Sequence, residues 1–467
     1  MSINFSGSQL TGGITISTSG GTGAAPEAPS TSPALTPAFG TPTSTADGFT
    51  VQVSNYDAAY TWAVSTTAGS ATISNTGLVT VTSLTAEQSA TVTVTTTRTG
   101  YASGTATATG TAEAASSSPT KFMVGTAYRD DDSVSDAGSA YIYNLDGTGE
   151  VQLTASDSDT SAYFGGAVAM YDTKVAVAAA GDNSQVGAVY VYNTNGTGEV
   201  KITAGDGASG DGFGRSVAMS NTQIIVGATG DDDLGTQSGS AFIYDLDGTN
   251  EVQLTASDGA TQSYFGMKVA MCATKVAVSA HYADSSKGAV YVYNLNGTSE
   301  VKIVSSDLAT GDQFGESLAM TDTKLAVGSP GDDSVGANNT GSVYVYNLNG
   351  TGEVKITASD SAATDMFGIT VAMTDTKLAV GSLRHNNTRG AVYVYNLDGT
   401  SEVKITASDA ATGDQFGGAV AIQGDKIIVG AAGKGSVYTY NLDGTGQQQF
   451  TDPDGSGEQF GRSVAFL

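Results

Sequence analysis

Aspartates stand in this chain where carboxylate chemistry is possible. Asp130, Asp131 and Asp132 form one run, Asp231, Asp232 and Asp233 a second, and Asp332 and Asp333 a third. Asp211, Asp312, Asp365 and Asp414 each precede a Phe by two residues. Grouped carboxylates offer the hard oxygen ligands that calcium takes, and a cation held there can bridge to sugar hydroxyls. The same residues are also ordinary turn formers, because an Asp side chain braces its own backbone. The runs are therefore candidate metal ligands, and the four single aspartates mark a candidate ligand face. The two histidines, His281 and His385, fall in separate repeat units and are not expected to share a metal. No Ser-His-Asp set, paired-carboxylate motif, Cys/His metal spacing or phosphate loop is recognisable. No catalytic residue or bound cofactor is assigned, and the chain is read as a binder, not an enzyme.

The elements that position these residues follow from a repeat. Phe-Gly recurs at Phe164, Phe213, Phe265, Phe314, Phe367, Phe416 and Phe460, at spacings of 49, 52, 49, 53, 49 and 44 residues. One unit reads FGGAVAM, TKVAVAAA, GAVYVYN and EVKITA. These are four short runs rich in Val, Ala, Tyr and Ile, separated by turn residues. Tyr and Val alternate in the third run and so face opposite sides. Asn-Gly-Thr or Asp-Gly-Thr joins the third and fourth runs, as at Asn195, Asp247 and Asn296, and supplies the positive φ of a tight hairpin. The same Asn positions are formal glycosylation signals, but free exchange with Asp favours the turn. A four-strand meander repeating every 40–50 residues predicts a β-propeller.

The ends of the repeat region define its closure. FGRSVAFL (460–467) is a first strand with nothing after it, and 121–153 supplies a second, third and fourth strand with no first. Joined, they make one composite blade, so the expectation is all-β: a seven-bladed propeller over 121–467, closed by the C-terminal strand.

The pattern FGxSVAM…TKLAVGSPGDD…GSVYVYN…EVKITASD resembles the FG-GAP repeat of integrin α-subunit propellers and their bacterial and viral counterparts. That resemblance implies a calcium loop between first and second strands. Here the connection is short, as in MTDTK (320–324), and cannot wrap a calcium ion. Calcium thus remains conceivable only at the aspartate runs. The resemblance also raises the interest of the face carrying the 2–3 and 4–1 loops, where the aspartates gather. In both readings Phe packs between blades, Gly lets the backbone pass closely, and Met170, Met219, Met271, Met320 and Met373 fill the core.

Residues 1–35 are rich in Gly, Ser, Thr and Pro and read as a docking arm. Residues 36–113 alternate as short strands around the single tryptophan, Trp62, and resemble a bacterial or phage Ig-like β-sandwich. Residues 114–120 form the linker. Of the net charge of −27 over 467 residues, most lies in the repeat region, which disfavours nucleic acid and anionic membranes. The single cysteine, Cys272, precludes an intrachain disulfide and is expected to be buried. No apolar run is long enough for membrane insertion, and the N-terminus has no basic stretch leading into an apolar core. A surface-type fold with these features suggests a phage virion protein: a tail fibre, spike or capsid decoration present in many copies. It would dock on other virion proteins through the arm and display the propeller to a host-surface glycan or protein. A bacterial surface or secreted adhesin, and a purely structural decoration, are the alternatives.

Overall fold

The computed structural model describes residues 32–45, 48–84, 88–111, 120–129, 135–333, 338–453, 455 and 459–467. Asp130, Asp131 and Asp132 lie outside them, as does the arm up to residue 31 and all of the linker except Thr120. The chain divides into two compact units, 1–115 and 116–467. No helix among the described residues is long and apolar enough to cross a membrane.

The N-terminal unit packs two antiparallel sheets face to face. One orders its strands Thr43–Thr45, Gly48–Gln52, Leu78–Thr82, Ser70–Ile73, and the other Thr61–Thr66, Ser89–Thr97, Gly104–Thr111. Alternation turns Val51, Val79, Val81, Val92 and Val94 into a shared core around Phe49. Trp62 is not the centre of that core. It is half-buried, stacks on Tyr56 at 5.0 Å, and its indole N–H donates to the Asp57 carbonyl at 2.8 Å. The ordered chain also begins before residue 36. Ser32 bridges Tyr101, and the Leu35 carbonyl accepts from the Thr96 hydroxyl at 2.6 Å. Residues 32–35 therefore belong with the sandwich and not with the arm, because an extended Pro-containing segment can lie along a strand edge.

Among its described residues the second unit contains seven four-stranded antiparallel sheets. Sheet I comprises Val168–Tyr171, Lys174–Ala179, Ala188–Asn193 and Val200–Ile202. Sheets II (213–254), III (269–303), IV (317–356), V (370–405) and VI (416–451) repeat that order. The composite sheet orders Val151–Leu153, Ser139–Asn144 and Lys121–Thr126, with Ser463–Phe466 on the far side paired to the last of these. This is a β-propeller repeat, and its cores lie between sheets. Tyr190 and Tyr192 of sheet I face Met123 and Ile142 of the composite sheet around Phe164. Val189 and Val191 face the other way, onto Phe213, Ile224 and Phe242 of sheet II. Each buried Phe is worth about 2–3 kcal/mol over leaving it exposed.

Phe-Gly stitches neighbouring sheets through the backbone. Phe213 forms a parallel bridge with Gly187, just ahead of the third strand of sheet I, and Phe314, Phe367 and Phe416 repeat this with Gly288, Gly341 and Gly390. The Gly that follows has positive φ, +92° at Gly266, where a Cβ would sit 2.2 Å from the Ser240 carbonyl oxygen. Hydroxyls two residues beyond Phe-Gly add a latch to the next sheet. Ser216 donates to the Gly266 carbonyl at 2.9 Å, Ser317 to Gly368 at 2.7 Å, Thr370 to Gly417 at 2.8 Å and Ser463 to Gly165 at 2.8 Å.

Two smaller expectations change. In the three-residue loop of each 3–4 hairpin only the Gly takes positive φ, +81° at Gly196, while two residues on a second position does too, as at Gly198 and Asn250. Asn193 N–H donates to the Thr197 carbonyl, so the loop has three residues. The Asn195 side chain instead accepts from the Thr197 hydroxyl at 2.7 Å, as Asp247 does from Thr249 at 2.6 Å. One carbonyl-type oxygen suffices, so Asn and Asp interchange. Cys272 is half-buried at the margin of the core between sheets III and IV, as are Met271, Met320 and Met373 at the ends of their strands, whereas Met170 and Met219 are buried.

Candidate functional site

The loops joining second to third strands, and those leading from each fourth strand into the next sheet, carry the aspartates. A recurring side-chain set explains most of them. In sheet I the Tyr190 hydroxyl donates to Asp157 at 2.7 Å, and the Lys201 ammonium reaches Asp157 at 2.6 Å and Asp182 at 2.8 Å. Sheet III repeats this with Tyr291, Asp258 and Lys302, sheet IV with Tyr344, Asp307 and Lys355, and sheet V with Tyr393, Asp360 and Lys404. In sheet VI, Lys434 from the 2–3 turn takes the place of the fourth-strand lysine against Asp409 and Tyr438. Burial pushes Asp157, Asp258, Asp307 and Asp360 up, but hydrogen bonds from the Lys and Tyr outweigh it and hold these carboxyls below the usual range.

Most of the candidates are likewise committed. Asp332 is buried, accepts from the Tyr344 hydroxyl at 2.6 Å and pairs with Lys355 at 2.7 Å. Asp333 accepts from the Asn339 N–H at 2.7 Å. Asp312, Asp365 and Asp414 are buried and each accepts from a backbone N–H three residues earlier, at Ala309, Ala362 and Ala411. Asp365 also meets His385 Nδ1 at 2.8 Å. These four loops are braced by their aspartates.

Sheet II differs. Phe242 stands where the other sheets have Tyr, and Gln253 where sheets I, III, IV and V have Lys, opposite each other in register; Gln152 and Gln449 hold that place in the composite sheet and sheet VI, but opposite a Tyr. Gln253 donates to Asp206 at 3.2 Å and to Asp233 at 2.8 Å but brings no charge. Asp206, Asp231 and Asp233 therefore converge without a lysine, with one oxygen of each within 4.8 Å of the others. Asp211 and Asp232 line the same pocket of about 440 Å³. Burial raises the Asp231 carboxyl, and the neighbouring Asp233 and Asp206 charges add to it; Asp211 is raised by burial and by Asp206, Asp232 and Asp233. The sequence reading found four of the five residues and missed Asp206, whose signal was Phe242 in the third strand combined with EVQLT in the fourth; EVQLT also occurs at 150–154, but there opposite a Tyr. With one oxygen from each, the three carboxylates supply three of the six to eight ligands calcium takes, so backbone and water would have to supply the rest. The calcium loop implied by the integrin resemblance does not fit: only two or three residues, such as Asp172 and Thr173, join first to second strands.

A second cavity, of about 650 Å³, opens at the centre of the same loops. Below it a narrower channel of about 250 Å³ touches the first strand, or the residues leading into it, of all seven sheets. Arg215, Lys268 and Arg462 line that channel, and Glu316 and His281 line the cavity above. The sequence reading did not single out this centre.

A family model described as FG-GAP repeat matches residues 148–192, 197–244, 249–293, 298–346, 351–395 and 400–440, more than half of the chain. A search of curated proteins gives no match. Among solved structures, a nidogen/laminin complex is similar over 74% of this chain and 98% of that one, at 9% identity and a TM-score of 0.39. The GH74 xyloglucanase from Xanthomonas campestris is similar over 75% of this chain and 53% of that one, at 15% identity and a TM-score of 0.49. Likeness at this level says nothing of what this chain binds or turns over.

Proposed function

Because the chain belongs to the FG-GAP repeat family, we propose that it is a binding module, a phage virion protein displaying its propeller for adhesion to the host surface. The observation that carries the binding reading is that one set of loops gathers a central polar cavity and an uncompensated carboxylate pocket, drawn from several sheets. A site assembled from many repeats suits recognition, and weak contacts gain strength when many copies face one cell. The virion reading, as tail fibre, spike or capsid decoration, draws on the module order: a Gly/Ser/Thr-rich arm, a small β-sandwich, then the propeller.

We read the seven sheets as seven blades of one closed ring. The pairing of Ser463–Phe466 with Lys121–Thr126, the Ser463 latch onto Gly165, and a channel touching every first strand support closure. We read the N-terminal unit as Ig-like on its four-plus-three sandwich. The test is immunogold labelling of particles and uninfected host cells with an antibody to the propeller. Gold on virions is expected, at the tail for adhesion or on the head for decoration. Gold on uninfected cells alone would overturn the virion reading in favour of a surface adhesin.

A further inference from the structure

The units of this propeller are nearly copies of one another, yet the residues flanking the invariant Phe-Gly are not. After it stand Arg215 in sheet II, Glu316 in sheet IV and Ile369 in sheet V; before it stand Tyr264, Gln313 and Met366. All six line the central cavity. A scaffold position tolerates copying, as Phe-Gly does here. In sheets II, III, IV and V these varied flanking residues face an open space large enough for a small ligand, within the roughly 300–1,000 Å³ of ordinary binding pockets.

The chemistry of the space is specific. The Arg215 guanidinium is exposed and makes no ion pair or side-chain hydrogen bond among the described residues, so its planar fork is available for a carboxylate. Arg462 in the channel below adds positive charge, against Glu316, while burial lowers the Lys268 ammonium beside it. This centre is basic in a chain of net charge −27. His281 is 2% exposed and its Nδ1 has no partner, while Nε2 faces Glu316 at 3.4 Å. Burial, with Lys268 and Arg215 beside it, lowers the imidazole to about 4. The ring is then neutral with its proton on Nε2 toward Glu316, while Nδ1 is shut away from the cavity. Tyr264 and Tyr282 line the cavity packed edge to face on each other at 5.3 Å, Tyr282 being 41% exposed.

We propose that the central cavity binds a carboxylate-bearing sugar, with Arg215 taking the carboxylate, Glu316, backed by His281, taking hydroxyls, and Tyr264 or Tyr282 stacking on the sugar ring. One unpaired arginine beside one glutamate favours a single negative charge among hydroxyls over a phosphate dianion, which Glu316 would repel. The proposal rests on the reading of the protein as an adhesion module and names the ligand class.

The test is calorimetric titration of the full chain with methyl glucuronide, sialic acid, methyl glucoside and a short oligoglutamate, alongside binding of the labelled chain to host cells. Millimolar binding of one or both acidic sugars is expected, with none of the neutral glucoside. Arg215→Gln should weaken it about tenfold or more, Arg215→Lys less, and Tyr264→Ala should also weaken it; an unchanged melting temperature shows that each variant is folded. Absence of acidic-sugar binding, or binding unchanged by Arg215→Gln, overturns the proposal. Oligoglutamate binding without sugar binding overturns it in favour of an acidic protein partner. If cells are bound but acidic sugars are not, the adhesion reading survives without this site. If sugars are bound but cells are not, the site stands and the adhesion reading fails.

Discussion

At the scale of the residue, two exceptions to the repeat matter most. Asp157 and its counterparts are neutralised by a lysine and a tyrosine, so their charge is internal to the fold. In sheet II, Phe242 and Gln253 remove both partners and leave Asp206, Asp231 and Asp233 facing one another. Gln253→Lys should restore the missing cation. We expect a gain of about 0.5–1 kcal/mol for so exposed a pair, read as a melting temperature higher than wild type at low salt and closer to it at high salt. The other exception is His281. Folding holds it neutral, at about 4 against an ordinary 6.5. The unfolded chain therefore takes up the proton first as the pH falls below about 6.5, and stability is lost progressively down to about 4. In urea unfolding at a series of pH values, His281→Gln should flatten this slope, whatever its cost at neutral pH. The paired substitutions in sheet II were legible in the sequence as AFIYD for VYVYN and EVQLT for EVKIT. Their meaning was not, because Asp157 and Lys201 are 44 residues apart and meet only in space.

At the scale of the element, the Phe-Gly period was enough to divide the chain into sheets, since strand composition and turn residues agree at every repeat. What the period hides is how sheets are joined. The parallel bridge from Phe213 to Gly187 and the latch from Ser216 to Gly266 cross sheet boundaries, and no local pattern announces them. The 2–3 turns are less legible still. In sheets I, III and V three successive non-glycine residues take positive φ, among them Asn386, Asn387 and Thr388. The Thr388 carbonyl accepts from the Gln415 N–H at 2.9 Å, so the neighbouring sheet holds the turn in place. A β-branched residue is poorly suited to that conformation. Thr388→Asn should raise stability by about 0.5–1 kcal/mol, because Asn tolerates the left-handed region; thermal unfolding measures it. Gly266→Ala should do the opposite, costing at least about 1–2 kcal/mol for the backbone alone, with the clash against the Ser240 carbonyl added. The same melting experiment checks it, and an unchanged midpoint would contradict the close approach described for Gly266.

At the scale of the whole molecule, the composite sheet was foreseeable from the two leftover fragments, because a first strand without followers and three followers without a first strand complete one another. The central cavity was not foreseeable. Divergence beside Phe-Gly can be read in the sequence, but only the arrangement of first strands around a common channel turns those positions toward one space. Removing residues 460–467 should leave Lys121–Thr126 as an open edge. We expect faster proteolysis within 121–153 and self-association on gel filtration, while the N-terminal sandwich, a separate compact unit, stays resistant.

The pairing of Ser463–Phe466 with Lys121–Thr126 has a consequence for biosynthesis. The strand that waits is made first and the strand it waits for is made last, nearly 340 residues later. At the ribosome's pace of about 5–20 residues per second, the nascent chain carries an unmated strand for some tens of seconds while the intervening sheets stack one on the next. Completion is therefore timed by the end of translation of this segment, and a chain cut short after sheet VI but before Ser463 would have every sheet finished except the composite one, whose open strand has nothing to hold.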